Sequence, residues 1–177
     1  MTPARFVRQA EEIRRGVAAD AAVIAAVTRA AYAKWTPILG REAKPMTVDY
    51  EEAVRKNRFD LLIVDGRAAA LIETIAEPGG LLIENVAVSP PFQGRGYGRR
   101  MLAHAEDIAV AAGYGKIRLY TNQLFAANVA LYLKLGFRID SEEPFLGGVQ
   151  VNMSKALTGR PPAGRCSGLG LTPMVRR

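Results

Sequence analysis

Gln93-Gly94-Arg95-Gly96-Tyr97-Gly98-Arg99-Arg100 decides how the rest of the chain is read, because a strand-like run ends at Val88 and an amphipathic helical run begins near Arg99. Three glycines in five residues permit positive φ and keep Cβ atoms away from the backbone N–H groups. The following helix aims its unpaired amides and positive dipole end at the same point. The arginines deepen that potential. The stretch reads as a cradle for phosphate, since a plain tight turn needs neither three glycines nor adjacent cations.

Before the loop, residues 11–17 read as a strand. Asp20 can cap a helix over 21–34, with Val23, Val27 and Ala30 or Ala31 at helical spacing, and Pro37 stops it. Residues 36–46 form a connection of about a dozen residues, longer than the usual ~4–6, and long connections often carry function. Asp49-Tyr50-Glu51-Glu52 matches a capping box opening a helix to about Asn57. Strands then follow at 61–64, 68–76 and 81–88, joined by turns at Asp65-Gly66 and Pro78-Gly79-Gly80, which makes an antiparallel meander.

After the loop, Met101, Leu102, Ala105, Ile108, Ala109 and Ala112 give a helix over 99–112 one apolar face, and Gly113 ends it. A strand at 116–121 is joined to the meander by that helix, so the two strands should run parallel. A helix at 124–135 closes at Gly136, and two last strands flank residues 144–148. The fold class is α/β (α+β): a mixed, mostly antiparallel sheet of about six or seven strands with about four helices. One domain spans residues 1–157. The tail 158–177 has little periodicity and is expected to be disordered.

With 177 residues, 49% apolar and 23% charged, the chain can bury a core without staples or metals. No run approaches the length of a membrane span and no secretory leader is visible, so a cytoplasmic location is expected. Cys166, the single cysteine, forms no internal disulfide and argues against a zinc site. Of the net charge of +7, the tail contributes Arg160, Arg165, Arg176 and Arg177 with no acid. The modest remainder suits a domain holding a polyanionic ligand. Basic residues interleaved with exposed aromatics are not found, so nucleic acid is not an expected partner.

A strand, a glycine loop and a helix serve several ligands. The Walker loop ends Gly-Lys-Ser/Thr, whereas Gly98-Arg99-Arg100 offers no hydroxyl for magnesium. Glycines at 94, 96 and 98 also miss the dinucleotide spacing G-x-G-x-x-G. The pattern Gln93-x-x-Gly96-x-Gly98 after Glu84-Asn85-Val86-Ala87-Val88 resembles the acyl-coenzyme A loop of the GNAT N-acetyltransferase superfamily. Asn128-Val129-Ala130-Leu131-Tyr132-Leu133-Lys134-Leu135-Gly136-Phe137 resembles that family's second signature. The element order agrees over roughly residues 11–155.

The resemblance implies acetyl-coenzyme A as co-substrate and acetyl transfer to a primary amine of a small molecule by direct attack, without a metal. Backbone groups of Val86 and Val88 would pair with the pantetheine arm, and N–H groups of Gln93, Gly94, Arg95, Gly96, Tyr97, Gly98 and Arg99 would hold the pyrophosphate. Phe92 and the Tyr97 side chain read as packing residues. Glu84 matches the general base of several branches, and the other reading is a strand carboxylate paired with a cation. Tyr132 would be the general acid at sulfur and Asn128 a cofactor ligand, with a phenol bordering the core as the plainer reading of Tyr132. Asn122 either contacts the arm or caps the next helix.

In this fold the connection after the first helix overhangs the acceptor. Tyr32, Trp35 and Tyr50, with Glu73 and Glu84 nearby, would favour a cationic amine, although Tyr32 and Trp35 are equally suited to a core. His104 reads as a surface histidine. Acetylation of a protein amine, or a non-catalytic acyl-coenzyme A sensor, are the alternative functions. The exposed final strands offer pairing into a homodimer.

Overall fold

The computed structural model describes residues 10–158. Cys166 and nearly all of the basic tail, with its expected disorder, lie outside the described residues. Seven strands form one sheet in the order β1-β2-β3-β4-β5-β7-β6. They are β1 (Glu11–Arg15), β2 (Arg58–Val64), β3 (Arg67–Glu77), β4 (Gly80–Val88), β5 (Lys116–Asn122), β6 (Arg138–Phe145) and β7 (Gly148–Ala156). All neighbours are antiparallel except β4 and β5. The helices are α1 (Ala21–Tyr32), the single turn α2 (Thr36–Leu39), α3 (Tyr50–Lys56), α4 (Tyr97–Ala111) and α5 (Ala126–Lys134). No described helix is long and apolar enough to cross a membrane.

Two apolar layers cover the sheet. On one face Met101, Leu102, Ala105 and Ala109 of α4 and Tyr132 of α5 pack on Leu62, Ala70, Ile72, Leu81, Ile83 and Leu119. On the other, Ile24, Val27 and Ala31 of α1 with Tyr50 and Ala53 of α3 pack on Phe59, Leu61, Leu71 and Ala87. Val23, expected on the buried stripe of α1, is 43% exposed, and the stripe runs instead through fully buried Ile24. Asp20 does not cap α1 through its side chain. Its carboxylate accepts from the Val17 N–H at 2.9 Å and pairs with Arg14 at 2.8 Å, tying β1 to the helix.

Pro37 does not end the helical path but sits in the first turn of α2, where a missing N–H is harmless. The expected 36–46 loop is thus structured at both ends, with a 3-10 turn at Lys44–Thr47. Asp49 caps α3 by accepting from the Glu51 and Glu52 amides, as expected. Pro144 lies inside β6, an edge strand where the ladder tolerates proline, and the hairpin turns at Leu146-Gly147.

Two irregularities of β4 create the site. Its ladder with β5 spans only Leu81↔Ile117 to Ile83↔Leu119, while β4 stays paired to β3 as far as Val88 and β5 to β7 as far as Asn122. Beyond Ile83 the two parallel strands therefore diverge. At the same level Thr74 of β3 pairs with Ile83 and Glu73 with Asn85, leaving Glu84 as an extra residue in a β-bulge. The bulge shifts the alternation of β4: Leu81 and Ile83 face α4, and so do Val86 and Val88, whereas Ala87 faces α1.

Candidate active site

Two cavities meet at the fork. The larger, of about 540 Å³, runs from Val86 and Val88 along the glycine loop to Arg99 and is closed by Lys34, Trp35 and Leu131. The smaller, of about 90 Å³, lies under the α2 connection between Arg41, Lys44, Glu84, Tyr120, Asn122, Phe125 and Phe145. Tyr32, Val86, Asn128 and Tyr132 line both.

Gly94 (φ 77°) and Gly96 (φ 82°) take the left-handed conformation, and Gly96 is the N-cap of α4. The first helical bond is Arg100 N–H to the Gly96 carbonyl at 3.1 Å. The six successive amides from Gly94 to Arg99 have no acceptor among the described residues. Gln93 differs from expectation. Its amide donates to the Pro90 carbonyl at 3.2 Å, and its side chain donates to the Val88 carbonyl at 2.9 Å, so it braces the loop rather than offering its own N–H. The Arg95 guanidinium lies over the Phe92 ring, 5.4 Å from its centroid. The Tyr97 hydroxyl donates to Glu11 at 2.6 Å, so this side chain is structural and only its amide faces the cradle.

At the fork, Tyr132 is buried, with its ring edge-on to Phe137. Its hydroxyl makes no hydrogen bond to any described residue, and burial pushes the phenol up to about 12. Packing accounts for the ring but not for the hydroxyl. Glu84 accepts hydrogen bonds from the Tyr120 hydroxyl and from Lys44 Nζ at 3.2 Å; Lys44 also lies 3.4 Å from the Tyr120 oxygen. Burial and the bond to Glu84 hold the Tyr120 phenol well above its usual range, so it remains a donor. Both the functional and the paired reading of Glu84 thus have a physical basis. Asn122 accepts from the Leu124 amide at 2.9 Å, which is the turn-capping role, while still bordering the smaller cavity.

The expected acceptor residues are redistributed. Tyr32 lines the cavities, but its hydroxyl is donated to Asn85 at 3.0 Å, where burial raises its pKa. Trp35 stacks on Phe125 at 4.2 Å and borders the larger cavity rather than the smaller. Tyr50 and Glu73 are buried and line neither. Tyr50 donates to the Pro45 carbonyl at 2.8 Å and fixes the overhanging turn from below. Glu73, expected beside the acceptor with Glu84, therefore does not reach either cavity: the charged walls of the smaller one are Arg41, Lys44 and Glu84. His104 stands beside Asp60, away from both cavities and only 25% exposed, so it is half-buried rather than a surface residue.

Sequence reasoning missed Lys44, Arg41 and Tyr120. The signal for Tyr120 was the parallel crossover, because pairing Ile83 with Leu119 brings Tyr120 level with Glu84. The signal for the bulge was the phase break from Leu81 and Ile83 to Val86 and Val88.

Glu73 has a separate consequence. Among the described residues only Asn57 bonds it, at 2.6 Å, and desolvation raises it to about 7, well above its unfolded value. Between those two pKa values the folded state binds the extra proton, so stability falls as pH rises from about 4.5 to 7. The loss is up to about 3 kcal/mol. Thermal melts of Glu73→Gln should therefore show a flatter pH dependence and a higher midpoint than the wild type at pH 8; a parallel pair of curves would refute the shift.

The model of the Acetyltransferase (GNAT) family matches residues 25–137, and the chain belongs to that family. It is 36% identical over 80 residues to N-alpha-acetyltransferase 80 of Mus musculus, which covers 45% of this chain and 23% of that protein. It is 38% identical over 76 residues to the [ribosomal protein bS18]-alanine N-acetyltransferase of Salmonella typhimurium, covering 43% and 51%. The matched stretch thus spans about half or less of these relatives. Among solved structures, yncA of Salmonella typhimurium with its cofactor acetyl-CoA superposes with a TM-score of 0.66 at 20% identity, over 89% of this chain and 99% of the other. That likeness establishes the fold.

Proposed function

We propose that the chain transfers the acetyl group of acetyl-coenzyme A to a primary amine by direct attack. The observation that carries this reading is the unbonded Tyr132 hydroxyl at the junction of the cavity along the glycine loop and a second cavity that contains Glu84. The larger cavity fits the co-substrate: six amides without an acceptor among the described residues and the α4 N-terminus suit a pyrophosphate, and the run from Val86 to Val88, open on its β5 side, suits an amide-bearing arm. The names of the relatives, and the acetyl-CoA in a structure of the same fold, support the choice.

Glu84 accepts the proton released as the amine nitrogen bonds to the acetyl carbon. Tyr132 delivers a proton to sulfur as the carbon–sulfur bond breaks. Tyr120 and Lys44 hold the Glu84 carboxylate in place. The smaller cavity, at about 90 Å³, falls below the ~300–1,000 Å³ of pockets for drug-sized ligands, which favours the amine of an amino acid or of a peptide end over a bulky polycyclic amine. Both curated relatives bear names of peptide-amine acetyltransferases, so a peptide end is a second reading beside a small molecule.

Thiol release from acetyl-coenzyme A, measured across amino acids, peptides and polyamines, tests this. Binding of acetyl-coenzyme A without thiol release in the presence of any of these amines would turn the reading to a sensor module. The cleft has its own test. Nothing lies within 4 Å of a Cβ built on Gly96, but its left-handed backbone costs other residues about 1–2 kcal/mol, so Gly96→Val must turn the amides away. Calorimetry should show coenzyme A binding weakened by about tenfold or more in that variant; unchanged affinity would remove the loop from the site.

A further inference from the structure

The charge of the smaller cavity is opposite to what an ammonium pocket needs. Of its three charged walls, Glu84 is already engaged by Lys44 and Tyr120. Arg41 has no carboxylate partner among the described residues. It donates from Nη1 to the Glu42 carbonyl at 3.0 Å and from Nε to the Leu146 carbonyl at 3.4 Å. Those contacts bridge the α2 connection to the β6–β7 turn, so the guanidinium is held at the cavity wall by neutral acceptors, with donors to spare.

Resting on the acetyl-transfer reading, we propose that Arg41 is a specificity residue that binds a carboxylate carried by the acceptor close to its amine. A guanidinium forks onto a carboxylate through two parallel hydrogen bonds, which orients the acceptor as well as holding it. The α-carboxylate of a free amino acid and the side chain of an acidic N-terminal residue share this chemistry. Lys44 is paired with Glu84 at 3.2 Å, which leaves Arg41 as the wall cation without a carboxylate among the described residues. An acceptor with its own carboxylate supplies one.

The test uses matched pairs: alanine against alaninamide, and an aspartyl peptide amide against its asparaginyl twin. In thiol-release assays the carboxylate member of at least one pair should have the higher kcat/KM by roughly 10- to 100-fold. The pair that responds identifies the source of the carboxylate. Arg41→Gln should erase the preference, with the loss appearing in KM of the carboxylate member. Calorimetric binding of the N-acetylated products separates the proposal from the reading beneath it. Carboxylate-selective binding that Arg41→Gln abolishes sustains the proposal even if no acceptor turns over. Equal kcat/KM within both pairs overturns the proposal. So does a preference that survives in Arg41→Gln, or product binding that ignores the carboxylate.

Discussion

Tyr132→Phe should lower kcat by about a hundredfold or more while leaving coenzyme A affinity and the melting temperature close to those of the wild type. The three parts of that expectation come from different atoms. The ring makes the contacts with Phe137 and the α4 layer, and phenylalanine keeps them. The hydroxyl bonds to no described residue, so its removal breaks nothing in the fold. A hydroxyl without a protein partner among the described residues, where two cavities join, is placed to meet a ligand atom. With its pKa pushed up to about 12, Tyr132 stays protonated across the working range, as a proton donor to a leaving thiolate must. The wild-type rate should therefore show no alkaline loss from Tyr132 below about pH 11. Full turnover in Tyr132→Phe would leave sulfur protonation to water and reduce the tyrosine to packing.

The parts of the fold that were legible in the sequence are those set by neighbours in the chain. The Gly94 and Gly96 turn, the α4 stripe and the β2–β3–β4 meander each follow from spacing over a few residues. The larger cavity was legible for the same reason, because the strand end, the glycines and the helix N-terminus that line it are contiguous. The acceptor side is built from distant segments: Arg41 and Lys44 before α3, Glu84 in a bulge, Tyr120 on β5 and Phe145 on β6. Their meeting depends on register. A one-residue change in register sends a side chain to the other face of the sheet, and the bulge at Glu84 does this to the second half of β4. Reading β4 as a uniform strand gives no reason for Glu84 and Tyr120 to touch. Glu73, only eleven positions earlier, looked like a companion acid, yet it faces a sealed layer, which its raised pKa reflects. Charge in a cavity follows from which residues reach it, and proximity in sequence misjudged that for Glu73 and Tyr50.

Glu84→Gln should abolish most turnover, by about 10²- to 10⁴-fold in kcat, and scarcely change stability. Its contacts admit a rival account in which Glu84 exists to pair with Lys44, and the magnitudes decide between them. The Lys44 side chain is 52% exposed and that of Glu84 21%, at a separation of 3.2 Å. An ion pair so open to water is worth about 0–1 kcal/mol, too little to justify a carboxylate in a strand interior for the sake of the fold. The bulge points the same way, because it interrupts the ladder in order to turn Glu84 toward the acceptor cavity. Glutamine retains the shape and can still accept from Tyr120, but it has no affinity for a proton. If Glu84 is the base, the loss lies in kcat and shrinks when the acceptor is supplied as a weakly basic amine that is already neutral at the assay pH. If the pair is structural, Glu84→Gln and Lys44→Met should lower the melting temperature equally and leave kcat intact.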